Sequence, residues 1–200
     1  TPELFDYGKN DLKKRTKETA GFAGFRLHYP LNTRSYKDEV IVFLGASYFR
    51  ALGKGDCYGL SGRGLAIDTG LNKGEEFPVF KEFWIVKPIS WNSAVTIYAL
   101  LDSSSITGAY EFIVRPGKTT TVDVRCVLYP RKNIRKLGIA PLTSMYYYGE
   151  HTVSAPADDF RPEVHDSDGL FLSLDNGEQI WRPLVNPRDL LINSFETKGL

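Results

Sequence analysis

The chain has 200 residues, 42% of them apolar, with 25 Lys and Arg against 24 Asp and Glu. That length supports one sizeable core, and the charge balance argues against a nucleic-acid backbone as the main partner, which calls for a basic surplus. No run of about 18 apolar residues occurs, so nothing reads as a membrane-spanning helix, and Thr1 opens a polar segment without a basic n-region, so export would require a leader already removed.

In chain order, residues 11–19 carry helix-friendly Lys, Arg and Glu but almost no apolar stripe, and read as a linker or one short turn. Residues 22–29 alternate, with Ala23, Phe25, Leu27 and Tyr29 on one face and Arg26 and His28 on the other, as a strand requires. Residues 39–44 form a continuous apolar run suited to a strand buried on both faces, and residues 80–86 place Trp84 in a strand that points it toward the core. Residues 94–101 and 108–115 flank the turn signal Asp102-Ser103-Ser104-Ser105 and read as a hairpin. Pro116-Gly117 turns the chain into residues 119–128, rich in Thr and Val. Residues 142–148 read as a short aromatic strand. Residues 169–174 and 179–182 then form a hairpin around Asn176-Gly177, a pair that favours a type I′ turn because both central positions need positive φ. Many strands, little helix and no domain break predict an all-β fold, an antiparallel β-sandwich, over residues 1–200.

Two segments carry candidate chemistry. Gly53, Gly55, Gly59, Gly62 and Gly64 are dense enough to suggest a phosphate cradle, but neither a P-loop nor a dinucleotide fingerprint follows Gly53-Lys54-Gly55, so they read as a loop with several positive-φ positions. Beside it, Arg63 and Asp68 suit either hydroxyl recognition through charge-assisted hydrogen bonds or an intramolecular pair that braces the loop. Glu75 and Glu76 point to opposite faces if extended, and read as a solvated turn rather than an acid pair. The second segment, residues 159–169, crowds Asp159, Arg161, Glu163, His165, Asp166 and Asp168 between strand-like runs. Tyr146, Tyr147, Tyr148 and Trp181 stand near it, and flat apolar faces beside carboxylates suit a sugar ring. Neither Ser144 nor Ser167 lies in a nucleophile elbow, and the calcium-loop pattern fails after Gly169. Carboxylate work on a glycosidic bond fits better, and that chemistry needs two carboxyl groups. Cys57 falls in the Gly-rich loop. Cys126 alternates with Val122, Val124 and Leu128 and is expected to face the core; it and Cys57 read as two unrelated small residues, with a disulfide in an oxidising compartment as the alternative. No Cys/His spacing suggests zinc. Neither a metal nor a cofactor is expected.

Nine stretches read together resemble a known family. They are GFAGFR at 21–26, LGASYFR at 44–50, YGLS at 58–61, RGLAIDT at 63–69, GEEFP at 74–78, YALLD at 98–102, LGIAPLTSM at 137–145, RPEVHDSDG at 161–169 and WRPL at 181–184. In this order they are similar to the periplasmic glucan biosynthesis proteins of Gram-negative bacteria, the G and D types, from about Phe5 to the end of the chain. The resemblance implies a periplasmic protein acting on osmoregulated glucans with a β-1,2-linked backbone. It implies a galactose mutarotase-like sandwich followed by an immunoglobulin-like domain, and inverting hydrolysis of β-1,2-glucan. Relatives extend beyond both Thr1 and Leu200, so the chain is expected to be a middle section of the sandwich, without the second domain.

On this resemblance Asp166 is the catalytic general base, and the general acid belongs to a downstream segment with no counterpart here. His165, Asp68 and Arg63 are expected to orient substrate hydroxyls, and Tyr148 and Trp181 to stack on sugar. The partner is a β-glucan polysaccharide, with a membrane glucan synthase as a further contact. A non-catalytic glucan-binding or scaffold role is the alternative. Gly62 stands where alanine is usual and Asp168 where asparagine is common, both beside motif residues.

Overall fold

The computed structural model describes residues 23–89, 94–152 and 158–196, and every regular element among them is a β-strand. In chain order these are β1 (Gly24–Tyr29), β2 (Asp38–Leu44), β3 (Tyr48–Ala51), β4 (Ser61–Arg63), β5 (Leu65–Ile67), β6 (Val79–Ile85), β7 (Val95–Asp102) and β8 (Ile106–Arg115). They continue as β9 (Thr121–Pro130), β10 (Leu137–Ile139), β11 (Leu142–Thr143), β12 (Tyr146–Tyr148), β13 (Val164–His165), β14 (Gly169–Ser173) and β15 (Gln179–Pro183). One sheet runs β1-β2-β3-β4-β11, a second runs β6-β7-β8-β9, and β5 with β10, β12 with β13 and β14 with β15 form smaller ladders. All pairings are antiparallel. The linker expected at 11–19 lies outside the described residues.

The two larger sheets bury one core between them. Alternation makes the inner face: Ile97, Ala99 and Leu101 on β7 and Ile106, Tyr110, Phe112 and Val114 on β8 are buried, and Phe43 of β2 packs among them. Phe43 lies edge-on to Phe112 at 5.0 Å and to Phe83 at 5.2 Å between ring centroids, and stacks on Phe25 at 5.2 Å, the offset and edge geometries aromatic rings prefer. A register shift between Phe80 and Glu82 lets Phe80 and Phe83, three apart, both reach this core. The Tyr110 hydroxyl donates to Gly64 O at 2.8 Å and ties β8 to the chain between β4 and β5. Burial pushes this phenol well above its ordinary range.

Several expectations need correction. Trp84 pairs with Tyr98 on the outer face and is 51% exposed, because the same shift that turns Phe83 inward turns its neighbour out. Cys126 pairs in register with buried Tyr110, so its face is the expected one, yet the thiol is exposed. Cys57 is also exposed, and both are free. Residues 142–148 are two strands, β11 on β4 and β12 on β13. Between Leu174 and Glu178, only Gly177 has positive φ, +85°, and Leu174 N donates to Glu178 O. The hairpin therefore closes with a three-residue loop ending in a left-handed glycine, not a type I′ turn.

Candidate functional site

The Gly-rich stretch is a loop as far as Leu60 and then enters β4. Of its five glycines only Gly55 has positive φ. Gly62 and Gly64 serve close packing: a Cβ on Gly62 would meet the Phe49 ring at 2.7 Å, and one on Gly64 would meet Phe80 at 2.8 Å. These contacts seat β4 against the core and carry Arg63 with it.

Arg63 is buried, its side chain 6% exposed, and Nη2 donates to Glu75 Oε1 at 2.7 Å. Its guanidinium lies between the rings of Tyr48 and Phe77, 5.0 and 5.2 Å from their centroids. Arg63 Nε has no partner among the described residues. The same Glu75 oxygen accepts from the Thr69 hydroxyl at 2.8 Å. Glu76 turns the other way and accepts from Ser105 N at 2.9 Å and Ser105 Oγ at 2.7 Å. Burial alone would raise the Glu76 pKa, but the Ser105 and Ser103 hydrogen bonds outweigh it and hold it at about 2. The pair expected in a solvated turn is thus two separately engaged carboxylates.

Asp68 does not pair with Arg63. It takes Lys73 Nζ at 2.6 Å and Lys136 N at 3.1 Å, and its φ of 59° puts it in the left-handed region. The Lys73 hydrogen bond lowers its pKa, with burial opposing.

Tyr48, Arg63, Thr69, Glu75, Phe77, Lys136 and residues 141–144 line a groove of about 590 Å³. Ser144 also lines it, and its hydroxyl hydrogen-bonds that of Ser167. Asp166 stands beside this link. Asp166 N donates to Met145 O at 2.8 Å, and Met145 N donates to Asp166 Oδ2 at 3.0 Å. The arrangement fixes one carboxylate oxygen and leaves Oδ1 without a hydrogen bond among the described residues. The Gly-rich segment meets the acidic loop here, Gly59 lying against Asp166 O.

His165 is 9% exposed at its side chain and stacks on Tyr146, with ring centroids 5.4 Å apart. Its Nε2 lies 3.0 Å from Glu163 and 3.6 Å from Asp168, and its Nδ1 is buried without a partner. Arg161 is spent on Asp159, donating from N and Nε to Oδ1 at 3.1 and 2.9 Å. Those bonds hold the Asp159 carboxyl far below its usual range. Tyr148 is 2% exposed, its hydroxyl donating to Arg161 O at 3.1 Å, so it offers no open face for stacking. Trp181, on β15, is half exposed.

The structure therefore sets Arg63 in the groove lining and Asp166 and His165 outside it, linked to it through Ser167 and Ser144, with Asp68 engaged elsewhere. Sequence reading passed over Phe77, Thr69 and Lys136 and gave Glu75 no role beside Arg63. The signal available was the spacing of RGLAIDT and GEEFP, two motifs separated only by a short Gly-containing turn.

Over residues 1–200 the chain matches the family described as periplasmic glucan biosynthesis protein, MdoG. It is 62% identical over 196 residues to glucans biosynthesis protein G of Ralstonia nicotianae (strain ATCC BAA-1114 / GMI1000), a match that covers 98% of this chain and 39% of that relative. The chain belongs to the periplasmic glucan biosynthesis family, and it spans about two fifths of the length of that curated relative.

Proposed function

From this membership we propose that the chain is part of a periplasmic protein that processes β-1,2-linked glucan by inverting glycoside hydrolysis. Asp166 is the general base. Its free Oδ1 takes a proton from water, the water oxygen attacks the anomeric carbon, and a second carboxyl group protonates the departing glycosidic oxygen. That acid belongs to the part of the protein outside these residues, as do the strands that complete a galactose mutarotase-like sandwich and the immunoglobulin-like domain.

The observation that carries this reading is the pinning of Asp166. Met145 N–H fixes Oδ2 and so aims Oδ1, next to Ser167, whose hydroxyl bonds that of Ser144 in the groove lining. His165, held by Glu163 and by stacking on Tyr146, orients the neighbouring hydroxyls. Arg63 does so from the groove, and Asp68 acts through the turn it braces. Trp181 supplies a stacking face. Tyr148 contributes by positioning Arg161. Nascent glucan, delivered by a membrane synthase, is the substrate.

The test is Asp166→Asn in the full-length protein, assayed by product analysis on β-1,2-glucan. Asparagine keeps the shape and can still accept from Met145 N–H. Turnover is expected to fall about 10²–10⁴-fold, with glucan affinity nearly unchanged. Near-normal turnover would make Asp166 structural. Glucan binding without turnover in the parent protein would favour the scaffold role.

A further inference from the structure

The Arg63 groove also holds Glu75 and Phe77, to which the hydrolysis reading gives no role. Arg63 and Glu75 neutralise each other, so the groove offers no net charge of its own at that point. Each nevertheless keeps one unfilled position. Arg63 Nε is a buried donor without an acceptor. Glu75 directs both of its donors, Arg63 and Thr69, to Oε1, and no hydrogen bond to Oε2 occurs among the described residues. Nε is shut off from solvent, so the open position is the Glu75 oxygen, which a hydroxyl fills by donating. An anion would face the Glu75 carboxylate, and a cation the Arg63 guanidinium. Phe77 borders the same groove, and its ring is 51% exposed although Arg63 lies over it, leaving apolar surface open to a ligand. The volume of about 590 Å³ lies within the range of small-molecule sites.

We propose that the groove is a neutral sugar subsite, with Glu75 Oε2 accepting from one hydroxyl and Phe77 packing against the CH face of the ring. This rests on the glucan reading above and extends it. Because Ser144 of the lining bonds Ser167 next to Asp166 while Asp166 itself lies outside the lining, the subsite holds a unit displaced from the bond being cut. Glu75 and Phe77 are then specificity-determining residues that select for longer chains.

The experiment measures binding, not turnover, so that it stands apart from the role of Asp166. In full-length protein carrying Asp166→Asn, affinities for a ladder of β-1,2-gluco-oligosaccharides are compared with and without Phe77→Ala. Long oligosaccharides should bind about tenfold more weakly, while the shortest bind as before. Phe77→Tyr, which keeps the ring, should restore the long-chain affinity. Phe77→Leu, apolar but without a flat face, reads the same loss if the alanine variant fails to fold. Unchanged affinity along the whole ladder would overturn the subsite, as would a stronger preference for sulfated than for neutral oligosaccharide. A failed Asp166 prediction leaves these readings intact, since turnover does not enter them.

Discussion

Glu76 joins the segment before β6 to the β7–β8 turn, and its removal gives a pH-dependent loss that can be worked from the structure. Its carboxylate takes the Ser105 backbone and hydroxyl at 2.9 and 2.7 Å, and its pKa falls from an ordinary 4.5 to about 2. At about 1.4 kcal/mol per unit, the full shift corresponds to roughly 3 kcal/mol. The site is only half-buried, and solvent screening brings this to about 1–2 kcal/mol. The sign follows from the direction: a carboxyl whose folded pKa is depressed contributes fully above about pH 4.5, and the contribution drains away as pH falls toward about 2. Glu76→Gln keeps the shape but not the charge. Urea unfolding of the full-length protein, followed by tryptophan fluorescence, should show the variant about 1–2 kcal/mol weaker near neutral pH, with the gap closing as pH falls toward about 3. Equal stability at neutral pH, or a gap that stays constant with pH, would refute the charge-assisted role of these bonds.

Two further substitutions probe the inter-sheet seam. Gly64→Ala sets a methyl group 2.8 Å from Phe80 and 3.0 Å from Leu101, and should cost about 1–3 kcal/mol in thermal unfolding through overpacking. Tyr110→Phe strands the buried Gly64 carbonyl and should cost about 1–3 kcal/mol, read as a lower denaturation midpoint with an unchanged slope.

The strands that sequence made plain are those whose apolar period is long. The runs at 39–44, 94–101 and 108–115 became β2, β7 and β8 because each buries enough side chains to dominate its own neighbourhood. The strands β3, β4, β5 and β10 were not legible. Each has three or four residues, and β4 consists of Ser61, Gly62 and Arg63, with Phe49 from outside the strand packed on Gly62. Glycine there signals close approach, which local pattern cannot distinguish from a turn. For the site, the motifs marked Arg63, His165 and Asp166, but partners were beyond reach. That Arg63 would take Glu75, and Asp68 would take Lys73, depends on how Asp68 bends the chain at positive φ. Tyr148 shows the same limit, since an aromatic triplet on a short strand does not reveal which ring turns inward.

The two glycines that flank Arg63 also bear on the thermodynamics of whatever meets it. With Phe49 against one and Phe80 and Leu101 against the other, the backbone that carries the guanidinium has no slack. Its conformational freedom was surrendered when the sheets closed, and the Tyr110 bond to Gly64 O holds that state. A ligand arriving at this strand therefore meets a surface already ordered, and its association is not opposed by a loop or side chain that must first be immobilised. Such a floor leaves little entropic opposition from the protein, and makes affinity sensitive to close fit rather than to adaptation.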